Sequence, residues 1–139
     1  MITLTIPGQP VGKQRPRVVR SRAGFPIAFT PKKTVEYETL IRELFAVKYP
    51  DFEPLDIPLY MRLDIFQAIP KSASKKDKAA MEAGEIWPAL KPDIDNVLKT
   101  FLDALNGVAF RDDACVVRVG ASKFYSHTPR VEMWIVRHR

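Results

Sequence analysis

Apolar and polar side chains alternate from the start of the chain. Ile2, Leu4 and Ile6 are separated by Thr3 and Thr5, the period of two that predicts a half-buried strand, and Pro7-Gly8-Gln9-Pro10 ends it. The stretch from Val18 to Thr30, with Gly24 at its middle, predicts a short basic hairpin whose Pro26 confines it to a sheet edge. Thr30-Pro31 reads as an N-cap followed by a first-turn proline. Tyr37, Leu40, Ile41, Leu44 and Lys48 then keep helical spacing up to Pro50. Alternation returns at Leu59, Met61, Leu63 and Ile65, predicting a second strand before Pro70. Lys71 to Glu85 is rich in Lys, Ala and Ser, and Ser74 stands three residues before Asp77, as at the start of a short exposed helix.

The most regular pattern follows Lys91-Pro92-Asp93. Ile94, Val97, Leu98, Phe101, Leu102 and Leu105 form an apolar stripe that stops at Asn106-Gly107, predicting an amphipathic helix. Cys115 to Phe124 and Arg130 to Arg137 read as two strands joined by Ser126-His127-Thr128-Pro129, an expected hairpin. The order β, hairpin, α, β, α, α, β, β predicts an α+β fold, a single domain over 1–139 with a mixed or antiparallel sheet packed by two main helices.

Composition sharpens this picture. A chain of 139 residues with 46% apolar content has room for one well-formed core. One cysteine, Cys115, rules out an internal disulfide and a cysteine-clustered zinc site, and no apolar run approaches the ~20 residues of a membrane span. With no secretory pattern at the N-terminus, the expectation is a soluble protein of the cytoplasm. The formal charge is +6, and residues 1–35 hold Lys13, Arg15, Arg17, Arg20, Arg22, Lys32 and Lys33 with no acid. Such a one-signed surface fits a polyanion or a merely solubilising arm.

Four carboxylates, Asp93, Asp95, Asp112 and Asp113, fall within 21 residues. Acids gathered in a basic protein repel one another and any phosphate unless a cation neutralises them, and hard carboxylate oxygens suit Mg²⁺ or Mn²⁺. Lys99 lies one helical turn after Asp95, where an ammonium could stabilise charge on phosphate. Each residue also has a plainer role open to it: Asp93 as an N-cap, Asp95-Lys99 as an exposed pair, Asp112-Asp113 as turn residues. Gly8-Gln9-Pro10-Val11-Gly12-Lys13 lacks the spacing of a phosphate-binding loop, and His127 and His138 read as surface residues. Cys115 reads as a packed thiol. Trp87 and Trp134 could stack on bases, although Trp134 in an alternating strand suits sheet packing better.

The run from Lys91-Pro92-Asp93-Ile94-Asp95-Asn96 through Leu102-Asp103-Ala104-Leu105-Asn106-Gly107 to Asp112-Asp113-Ala114 resembles the RusA family of Holliday-junction resolvases, as does Gly12-Lys13-Gln14-Arg15-Pro16-Arg17. The resemblance implies a small homodimeric, Mg²⁺-dependent endodeoxyribonuclease of DNA recombination and repair, often carried by phages and prophages. Its substrate would be four-way junction or branched DNA, nicked at symmetric positions to leave 5′ phosphates. It makes Asp93, Asp95 and Asp113 the metal-binding carboxylates and Lys99 the catalytic lysine, with Mn²⁺ able to replace Mg²⁺. Asp112 is the weaker ligand candidate of its pair, and Cys115 stands where many relatives place Gln. Lys13, Arg15, Arg17, Arg20 and Arg22 become candidates for DNA-backbone contacts, with Lys75, Lys76 and Lys78 behind them. A non-catalytic basic DNA-binding protein, or a nuclease for flap or other branched substrates, is the alternative.

Overall fold

The computed structural model describes residues 1–14, 17–29 and 31–139. Along the chain run β1 (Ile2–Pro7), β2 (Arg17–Arg20), β3 (Pro26–Phe29), α1 (Lys32–Lys48), β4 (Leu59–Ala68), α2 (Lys75–Glu82), α3 (Ile94–Leu105), a 3₁₀ turn (Asp113–Cys115), β5 (Val116–Ser126) and β6 (Arg130–Arg137). The expected element order is met, and the fold is α+β with a mixed sheet.

The main sheet has the order β1-β6-β4-β5. β1 and β4 flank β6 antiparallel to it, and β5 runs parallel to β4. Register explains the core. Ile6, Val131 and Ile65 lie side by side across three strands, as do Leu4, Met133 and Leu63, and Ile2, Ile135 and Met61. All nine are buried. Against this face pack α1, through Tyr37, Ile41 and Phe45, and α3, through Val97, Phe101, Ala104 and Leu105. Each helix buries residues three and four apart, which makes one stripe of a 3.6-residue helix. At α1 the expected cap shifts by one residue. Thr30 lies outside the described residues, while Pro31 takes the cap position and its carbonyl accepts from the Thr34 and Val35 N–H groups.

The expected hairpin between the last two strands is not formed. β4 lies between β5 and β6 and pairs with both. Ser126-His127-Thr128-Pro129 does turn the chain back, but turn chemistry fixes the reversal and not the neighbour. β4 has an apolar face buried from Leu59 to Ile65, so placing it centrally gives partners to both of its hydrogen-bonding edges. On the opposite face its Phe66 sits between Phe124, 5.2 Å away and stacked, and the Arg130 guanidinium, 3.9 Å above the ring.

β2 and β3 form the expected hairpin as a separate two-stranded sheet, with Val18, Val19, Phe25 and Ile27 exposed. α2 starts as expected, Ser74 Oγ accepting from the Asp77 N–H at 3.1 Å, and buries no residue. Among the described residues no helix is long and apolar enough to cross a membrane.

Candidate active site

The Lys91-Pro92 segment that leads into α3 is held from beneath. Gln67, buried in β4, donates from Nε2 to the Lys91 carbonyl at 3.0 Å, and the Lys123 ammonium of β5 donates to the carbonyls of Leu90 and Pro92. From the other side the N-terminal segment presses in. The Lys13 N–H donates to the Asn96 carbonyl at 2.8 Å, and a Cβ on Gly12 would lie 3.0 Å from that of Pro92 and 3.1 Å from that of Asn96. Only glycine allows this approach without displacement. Gly12 and Lys13 of the basic motif and the start of the acidic motif, some 80 residues apart in sequence, therefore meet at the head of α3.

Asp93 stands at the cap position of α3 but makes no side-chain capping bond. Its Oδ2 instead accepts from the Lys91 ammonium at 2.7 Å. Beside it opens a cleft of about 390 Å³ lined by Gly12, Lys13, Lys33, Lys91, Asp93 and Asn96. Lys33 and Lys91 set against one carboxylate leave this cleft with surplus positive charge, and the unbonded N–H groups at a helix start add to it.

One and a half turns along α3 the balance reverses. Lys99 does not pair with Asp95; its ammonium is 3.9 Å from Asp103 Oδ2. Asp103 also takes the Lys13 ammonium at 3.2 Å, and Lys13 bonds Glu38 of α1 at 2.6 Å. Arg42 completes the chain 3.9 Å from Glu38. Burial pulls the Lys13 pKa down, but the Glu38 and Asp103 carboxylates outweigh it and leave the ammonium above the ordinary lysine value. In this arrangement Lys13, expected as a DNA contact, is an internal bridge between two helices rather than a free cation.

The 3₁₀ turn packs against α3 and divides its two acids by role. Asp112 caps the turn, Oδ1 accepting from the Ala114 N–H, while Asp113 is exposed. The hydrogen bond with Asp112 holds the Asp113 carboxyl above the ordinary value. Slight desolvation and the charges of Asp112 and Asp103 add to this, and Lys99 opposes it. Asp113, Asp103 and Lys99 thus share one electrostatic neighbourhood, and Asp95 lies exposed on the face of α3 one turn before Lys99.

Among the described residues no three acids, histidines or cysteines surround one point closely enough to hold a metal ion. The donors do suit a hard divalent ion in kind, being carboxylate oxygens, and at Asp113 they are crowded with too little compensating charge. Arg15 lies outside the described residues, and the side chain of Arg17 is not described. Arg20 and Arg22 are exposed on the hairpin. His127 pairs with Glu82 at the surface, and Cys115 is packed beside Leu55 and Asp56 as expected. Asp103 and Glu38 are among the residues that sequence reasoning passed over. The first carried a signal, its position four residues after Lys99; the second carried none.

The family model for endodeoxyribonuclease RusA matches residues 7–136. An uncharacterized protein, YqaN, of Bacillus subtilis (strain 168) is 37% identical over 136 residues, which cover 96% of this chain and 94% of that protein.

Proposed function

Because the chain belongs to the RusA endodeoxyribonuclease family, we propose that it cuts four-way DNA junctions by paired, symmetric nicks, with Mg²⁺ held by Asp93, Asp95 and Asp113. The observation that carries this reading is the lysine-lined cleft at Asp93, placed at the head of the helix that also bears Lys99. When bound by these carboxylates, a divalent cation would neutralise them, polarise the phosphodiester and lower the pKa of a nearby water.

The chain's own residues do the rest. Lys33 and Lys91 draw a phosphate into the cleft and position it without reading base sequence. Lys91 also keeps Asp93 turned toward that phosphate rather than toward the helix backbone. The Lys99 ammonium, steadied by Asp103, stabilises the negative charge that grows on the phosphoryl oxygens as the 3′ oxygen departs. The exposed Arg20 and Arg22 take flanking backbone, and on this reading Lys13 supports the site by holding Asp103. A junction has near two-fold symmetry and needs two cuts, so two copies of the chain, one per cut strand, complete the assembly. On this reading the protein works where DNA is, in the cytoplasm of a bacterial or phage-infected cell.

The test is cleavage of a synthetic four-way junction, a flap and a linear duplex by purified protein, with Mg²⁺ and with EDTA. Paired nicks in the junction alone, dependent on Mg²⁺, are expected. Binding without cleavage under every condition would leave a DNA-binding protein, and equal cutting of all three substrates would remove junction selectivity. Light scattering on the free protein checks for two copies.

A further inference from the structure

Trp87 has no part in the scheme above. The residue is 57% exposed, although tryptophan is usually well buried. The ring is also firmly backed. It rests on Phe124 at 5.3 Å, Phe124 stacks on Phe66 at 5.2 Å, and the Arg130 guanidinium closes the pile 3.9 Å from the Phe66 centroid. The chain around it is pinned by the buried Pro88 and by the Lys123 ammonium, which holds the carbonyls of Leu90 and Pro92.

Beside the ring lies a groove of about 570 Å³, which Asp93, Ile94, Ser122 and Lys123 also line. Asp93 is the residue this groove shares with the lysine-lined cleft. An apolar, aromatic-walled groove and a cationic cleft thus adjoin at one carboxylate. A nucleotide has the matching pair of parts, a flat base and an anionic phosphate.

The geometry points to Trp87 as the stacking platform for an unpaired nucleobase next to the phosphate being cut, an inference that rests on the nuclease reading. Bases within a duplex have their faces covered by their neighbours and cannot reach an indole at the protein surface. At a branch point strands are splayed and a base face is free. The platform therefore contributes preference for branched over linear DNA, while the lysines contribute affinity for both.

Trp87 and Trp134 are the two tryptophans of the chain, so Trp134→Phe leaves Trp87 as the sole reporter. In EDTA, a four-way junction should quench its emission and a linear duplex should not. Trp87→Ala should weaken junction binding about tenfold, the scale of one lost base–aromatic stack, leave duplex binding unchanged, and be largely rescued by Trp87→Phe. Silent emission on junction binding, or quenching that depends on protein concentration without DNA, would overturn the platform and in the second case make the surface a contact between copies. Wild-type junction cutting with silent emission would remove the platform alone. Wild-type protein that neither binds nor cuts branched DNA would remove the nuclease reading, and the platform with it.

Discussion

The two ends of α3 handle charge in opposite ways. At its head one carboxylate, Asp93, is bonded to Lys91 and shares its cleft with Lys33. Farther along, Lys99 stands among Asp103 and Asp113. Six residues, or about 9 Å of helix rise, separate Asp93 from Lys99. At the head, lysines outnumber the acid; farther along, acids outnumber the lysine. One short helix thus presents both signs of charge.

The sharpest way to break that contrast is to remove its carboxylates. Asp93→Asn and Asp113→Asn should each lower junction cleavage by at least about a hundredfold, with binding in EDTA kept or strengthened because negative charge near phosphate has been lost. A gel assay showing wild-type cutting by either variant would take that residue out of the site. Lys99→Ala should follow closely, with a loss in kcat of about a hundredfold at unchanged junction affinity, as for removal of one group that stabilises transition-state charge. A change in KM alone would make Lys99 a binding residue.

The bridge between the two ends can be tested next. Gly12→Ala should force the N-terminal segment away from Pro92 and Asn96 and lower stability by about 1–3 kcal/mol, read as a drop in melting temperature. Asp103→Asn weakens the hold on both Lys13 and Lys99. It should lower cleavage about tenfold and stability by about 1 kcal/mol, and an unchanged kcat would show that Lys99 needs no help in finding its place. The smallest effect is expected at the hairpin, where replacing Arg20 and Arg22 together should reduce the salt dependence of DNA binding by about two counterions. An unchanged slope would move the DNA track off that arm.

Much of this molecule was legible in its sequence. The α3 stripe and the alternation in β1 and β4 are local periodicities, and local periodicity is what a linear string records best. The partner of β5 was not legible, since the turn at 126–129 specifies a reversal and says nothing about a third strand slipping between. The site divides in the same way. Asp93 and Lys99 sit on a readable helix, whereas the engagement of Lys13 depends on Glu38 and Asp103, 25 and 90 positions away. No spacing rule joins three such residues until two helices and a loop have packed.

Gln67 carries a last consequence. Its side chain lies in the core, yet Oε1 has no hydrogen-bond partner among the described residues while Nε2 holds the Lys91 carbonyl. That bond fixes the backbone under Asp93, and removing its donor would leave the Lys91 carbonyl without this partner. Gln67→Met should therefore yield a slacker cutter, visible as a lower turnover.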